Sequence, residues 1–187
     1  FDHTTIFSLP HPATGQNVGA NLSGSSARLT GIPFGASDFR GAGLAGVDMT
    51  GSDLSTALFD GATIFSAPDP STNQQVGVNL LGTDANLTGL NLQQTDFRGV
   101  NLSGVTLSNA NLSSALFDAT TIFSGIDPAN QQRIGANLSN LNANGAMLVG
   151  PFPGTDFRGV NLMGVRLEGI DLSSSLIDGT TILTQST

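Results

Sequence analysis

The chain has 187 residues, 24 of them glycine, and no cysteine, tryptophan, tyrosine or lysine. Without cysteine there is no disulfide frame and no thiolate metal site, and the redox compartment stays open. Six arginines against 14 acids give a net charge of −8, which repels a nucleic-acid backbone, and no apolar run approaches the roughly 18 residues of a membrane span.

Taken from the start, residues 1–8 read FDHTTIFS, a signature that returns as FDGATIFS at Phe59, FDATTIFS at Phe117 and IDGTTILT at Ile177. These mark units 1–58, 59–116 and 117–176 and a partial unit 177–187, spaced by 58, 58 and 60 residues. After each full signature comes a segment rich in Pro, Asp, Asn and Gly (LPHPATGQNVG, APDPSTNQQVG, GIDPANQQRIG), which predicts a protruding loop. Next is an Asn-Leu, and then eight uninterrupted pentapeptides. In the second unit these centre on Leu87, Leu92, Phe97, Leu102, Leu107, Leu112, Phe117 and Ile122. The third unit carries two extra residues near Asn144-Gly145, read as a bulge. The chain opens at Phe1 within a repeat, as expected of a processed chain or a piece of a longer one.

A five-residue period is neither that of a helix nor that of a simple strand. AlaAsnLeuSerSer at 110–114 and AlaAsnLeuThrGly at 85–89 carry a pattern that resembles the pentapeptide-repeat family across nearly the whole chain. The resemblance implies an all-β fold, a right-handed quadrilateral β-helix forming one domain over 1–187. In it each pentapeptide makes one side, the central residue and the one two before it point inward, and the rest face solvent. With a coil of 20 residues, Phe39 lies under Phe59, Phe97 under Phe117 and Phe157 under Ile177, an interior aromatic stack. Reading the step from Phe59 to Phe97 as one shortened coil gives three coils per unit, about nine in all, and a rod of about 45 Å. Phe7, Phe65 and Phe123, each following a central Ile, are expected to point outward. Leu58 with Phe65, Leu116 with Phe123 and Leu176 with Leu183 then form outward apolar pairs, and the first two are expected to be covered by the loops that follow them, as knobs along one edge.

Chemistry has few candidates. Gly41 to Gly46 spells GxGxxG, but a dinucleotide site needs that motif between a strand and a helix, and here it stays in pentapeptide register. The only histidines are His3 and His11, and neither builds a triad or a metal set. Asn21, Asn86, Asn101, Asn111 and Asn137 start glycan-acceptor triplets, yet Asn is simply the usual residue before a central Leu. AspPheArg recurs at 38–40, 96–98 and 156–158, and one coil on, Asp60, Asp118 and Asp178 share the slot of Arg40, Arg98 and Arg158. That spacing predicts a structural ladder of ion pairs.

The sequence therefore predicts no enzyme, cofactor or metal. The leading expectation is a structural or assembly protein whose chains stack head to tail, Phe1 and Ile6 of one meeting Ile177 and Ile182 of another. The alternative is an acidic protein-interaction module. Some pentapeptide-repeat proteins are DNA mimics that bind type II topoisomerases, and the resemblance extends to fold and sign of charge. No direct nucleic-acid contact and no membrane span are expected.

Overall fold

The computed structural model describes residues 7–25, 27–139, 154–165 and 172–183. Phe1, His3 and Ile6, and the corner at Asn144-Gly145, lie outside them.

Three local preferences turn each pentapeptide into one short side. Its central residue points into the core. The Asn or Asp before the centre accepts a hydrogen bond at Oδ1 from the amide just after the centre, as Asn101 does from Ser103 and Asn137 from Ser139, both at 3.1 Å. The second residue after the centre takes a left-handed backbone, with φ of 73° at Gly99 and 58° at Asn109, which Gly and Asn adopt at least cost. Sides so formed stack on the next coil through parallel bridges. Arg28 meets Asp48, Asp38 meets Leu58, Asn86 meets Thr106, Asp96 meets Leu116 and Asp156 meets Leu176, all 20 residues on. The result is a four-sided β-helix, with no helix among the described residues. Leu, Phe, Val and Ala fill its interior from Phe7 to Leu162.

Longer coil steps mark where hairpins leave the stack. β1 (Ser8–Pro10) pairs antiparallel with β2 (Asn17–Gly19), β3 (Ser66–Pro68) with β4 (Gln75–Gly77), and β5 (Ser124–Ile126) with β6 (Arg133–Gly135). The sequence marks these segments only as loops; the Pro, Asn and Gly form the hairpin ends.

Phe7, Phe65 and Phe123 do not point outward as expected. Phe65 is 1% exposed and Ile64, just before it, is 46% exposed; Phe123 and Ile122 divide in the same way. The signature places six residues, not five, from centre to centre (Phe59 to Phe65). The additional residue turns Thr63 inward, where its Oγ1 donates to the Phe39 carbonyl one coil below at 3.0 Å. Thr121 donates to the Phe97 carbonyl at 3.0 Å and Thr181 to that of Phe157 at 2.8 Å. Phenylalanine removes more apolar area from water than isoleucine and adds ring contacts, so this register is the more stable. Ile64→Thr is therefore expected to change stability by no more than about 0.5 kcal/mol. Phe65→Ala should cost about 3–5 kcal/mol. Urea unfolding of the two variants distinguishes the registers.

The same shift corrects the coil arithmetic. Phe97 lies over Phe65, ring centroids 5.4 Å apart, and not over Phe59. From Phe65 the centres run through Leu80, Leu87 and Leu92 to Phe97, closing one turn, then through Leu102, Leu107 and Leu112 to Phe117, closing a second. Phe123 follows one face further round, above Leu102. The unit is two turns and one face, in place of the three coils expected, and the estimate of about nine coils in all falls with it. Phe7, Phe39 and Phe59 accordingly occupy one face, Phe65, Phe97 and Phe117 the next, and Phe123 and Phe157 the one after. The hairpins step round with them instead of lining one edge.

Candidate interaction surfaces

Asp and Arg of each AspPheArg flank an inward Phe, so both side chains emerge on the same outer face two residues apart. Arg40 closes a two-pronged pair on Asp38, Nη2 to Oδ2 at 2.6 Å and Nε to Oδ1 at 3.0 Å. Arg98 does the same with Asp96, and Arg158 with Asp156 at 2.8 Å. The expected ladder to Asp60, Asp118 and Asp178 is thus replaced by pairs within the tripeptide. Those carboxylates are held by backbone amides instead: Asp60 Oδ1 accepts from the Gly41 amide of the coil below at 3.1 Å and from the Ala62 amide at 3.0 Å. Asp118 and Asp178 accept from the Thr120 and Thr180 amides two residues on.

The structure adds members that the ladder reading missed. Gln75 on β4 donates through Nε2 to Ser66 Oγ at 2.8 Å and to Asp96 Oδ2 at 3.0 Å, while Ser66 Oγ donates to the Arg98 carbonyl. In the next unit Arg133 on β6 takes the place of Gln75, reaching Asp156 Oδ2 at 2.8 Å and Ser124 Oγ at 3.2 Å, and Ser124 donates to the Arg158 carbonyl. AspPheArg at 96–98 and at 156–158 is therefore a latch for the base of the hairpin one coil below. The 58-residue spacing of Ser66 with Ser124, and of Gln75 with Arg133, was the available signal.

Arginine donation, from Arg40 above all, holds the Asp38 carboxyl below its ordinary range, and Arg158 with Arg133 does so for Asp156. A carboxyl lowered in the native state contributes stability above its unfolded pKa, about 3.9, and loses it as pH falls through the lower folded value. Stability is thus expected to stay level above about pH 4 and to decline below it. Asp156→Asn should flatten that decline in an acid titration followed by circular dichroism. Arg98→Ala leaves Asp96 with Gln75 and is expected to cost no more than about 1 kcal/mol in urea unfolding.

The remaining candidates are plain. GxGxxG forms two successive corners of the coil, and Gly41 lies against the Asn17 carbonyl, with no helix beside it. His11 sits at the tip of the first hairpin, its Nδ1 accepting from the Ala13 amide at 3.2 Å. No three His, Cys, Asp or Glu residues among those described could hold a metal, and no described helix is long and apolar enough to cross a membrane. Leu58, Ile64, Leu116, Ile122, Leu176 and Ile182 are exposed outward residues, and Leu183 is an exposed centre. The hairpins do not cover them. Each hairpin leaves at the corner after its Phe, and in the second and third the apolar side chains find the glycine turns below that corner instead.

The pentapeptide-repeat family model matches eight copies over residues 18–61, 83–118 and 152–177, more than half of the chain. With the four-sided coil geometry this makes the chain a member of the pentapeptide-repeat family, whose β-helix is right-handed. No curated protein matches it. Among solved structures it is similar to Rfr23, a pentapeptide repeat protein from the cyanobacterium Cyanothece 51142, at 22% identity over 88% of each chain with a TM-score of 0.26. It is also similar to QnrB1, a plasmid-mediated fluoroquinolone resistance protein, at 16% identity over 90% of this chain and 69% of that one, TM-score 0.31. HetL, involved in heterocyst differentiation regulation in Nostoc sp. strain PCC 7120, is 22% identical over 83% and 82%, TM-score 0.22.

Proposed function

We propose that the chain is a non-catalytic structural protein whose β-helices stack end to end, into filaments or as part of a longer fibre. The observation that carries this reading is the last described coil, where the centres Ile177 and Leu183 are both exposed. The equivalent centres one coil deeper, Phe157 and Leu162, are buried. A coil edge of this kind offers unpaired backbone groups and an open apolar layer that another coil can cover. A head-to-tail contact is heterologous and does not close on itself, so it propagates. The net charge of −8 supports a second reading, an acidic module that binds another protein such as a topoisomerase. The pairing of Asp38, Asp96 and Asp156 with arginine thins the acidic surface and weighs for stacking.

Sedimentation and negative-stain microscopy across concentration test the proposal. Concentration-dependent filaments are expected, and Leu183→Glu should shorten them. A monomer at every concentration would overturn end-to-end stacking and leave the binding module.

A further inference from the structure

The signature's additional residue also interrupts the stack. Among the described residues no bridge joins Ile64 to Asp96 above it, although Asp96 is bridged to Leu116 on the next coil. At that unbridged seam a groove of about 340 Å³ opens between residues 61–66 below and 93–96 above. Small-molecule sites span about 300–1,000 Å³, so the groove is large enough to hold one small ligand. Thr95 lines it and is only 8% exposed, yet its Oγ1 is buried without a hydrogen-bond partner. A buried hydroxyl left without a partner is costly to a folded chain.

The slot of that hydroxyl recurs. Ser37 and Thr155 carry buried, unpartnered hydroxyls at the same place in their units, each just ahead of the Asp of AspPheArg. The second unit adds a pair of amides. Gln93 and Gln94 stand where the first unit has Gly35 and Ala36 and the third has Pro153 and Gly154. Gln94 holds a left-handed backbone, φ 60°, in the slot where Gly154 has 73°. Glycine adopts that conformation freely and glutamine only at a cost, so this side chain is present against local preference. Both glutamines are exposed at the groove, and neither side chain has a hydrogen-bond partner among the described residues.

The other polar side chains of the groove are engaged. Thr63 Oγ1 donates to the Phe39 carbonyl and Ser66 Oγ to the Arg98 carbonyl. Both Asp96 oxygens accept from Arg98, and Oδ2 accepts from Gln75 as well. No cationic side chain is among the described residues lining the groove, so nothing there draws an anion. Its one carboxylate is already paired, which disfavours a metal ion. What remains is neutral: one buried hydroxyl and two amides, able both to donate and to accept, beside the exposed side chain of Ile64. We propose that this groove binds a single neutral sugar ring, its hydroxyls paired with Thr95, Gln93 and Gln94 and its C–H face against Ile64. The site lies on the side of the β-helix and is independent of end-to-end stacking.

Backbone-amide NMR shifts read the site directly. Methyl β-glucoside and N-acetylglucosamine, titrated into the chain, are expected to shift Ala62, Ile64, Gln94 and Thr95 and to raise the melting temperature with concentration. Inorganic phosphate and calcium are expected to leave those residues unmoved. Thr95→Val keeps the side-chain shape and removes the hydroxyl. It is expected to fold, as circular dichroism will show, and to weaken binding about tenfold. Gln93→Ala/Gln94→Gly, altered only at exposed positions, is expected to weaken binding as much, and it carries the test if Thr95→Val does not fold. Sugars that shift nothing, or that bind parent and variants alike, would overturn the site. A response to phosphate or calcium in place of the sugars would overturn its neutral chemistry. Either result leaves end-to-end stacking untouched.

Discussion

Gly77→Ala is expected to be among the most damaging single-methyl additions in the chain, with a loss of at least about 3 kcal/mol. β4 ends where the hairpin rejoins the coil, and there the backbone crosses directly against the next coil. A Cβ on Gly77 would fall inside the main chain of Gly99 and Val100. The obstacle is backbone that is itself bridged, since the Val100 amide donates to the Phe97 carbonyl at 3.1 Å and the Asn101 amide to that of Val78 at 3.1 Å. Neither side can give without breaking the ladder. Gly19 against Ala42 and Gly135 against Gly159 repeat the crossing, so Gly135→Ala should behave alike. Gly89→Ala, where nothing lies near the added methyl but φ is 68°, should cost only about 1 kcal/mol from its left-handed backbone. Thermal melts of the three variants check the order, and a Gly77→Ala protein as stable as Gly89→Ala would refute the close crossing.

Phe97→Ala is the second large effect expected, at about 3–5 kcal/mol. Its ring is fully buried between Phe65 at 5.4 Å and Phe117 at 5.2 Å. Removing it leaves a cavity and deletes two ring contacts, each worth about 0.5–1.5 kcal/mol. The neighbours are fixed by the coils above and below, so collapse into the space is limited. In a stack where each coil touches only its neighbours, the loss should appear as a separate early unfolding step rather than a uniform shift. Calorimetry reads it directly, and a single sharp transition at the unmodified temperature would count against the continuous aromatic column.

The five-residue spacing of Leu87, Leu92, Phe97 and Leu102 made the inward centres legible, and the β-helix itself followed from the resemblance to the pentapeptide-repeat family that this spacing carries. The tripeptide pairs were not legible. Slot arithmetic gives which face Arg40 leaves from but not how its side chain bends, and Asp38 is nearer along its own strand than Asp60 across the coil. The Ile64-Phe65 choice failed for a different reason. Two large apolar residues side by side fit the pattern in either register, and the decision rests with ring contacts and a Thr63 hydroxyl bond that both reach residues on other coils. The latch formed by Gln75 and Arg133 was hidden because the two residues share a slot and a hydrogen-bonding role without sharing a residue type.

Nine sides per unit on a four-sided frame do not divide evenly, and that remainder works like a screw thread. Each 58-residue unit advances the axis by about 11 Å and rotates its hairpin by one face. Lengthening such a protein by one unit would not present another knob beside the last; it would turn the new knob away. Four units, about 43 Å of axis, are needed before a hairpin again points the same way. A flat partner could then grip only every fourth hairpin, whereas a partner that wraps the rod could follow them all.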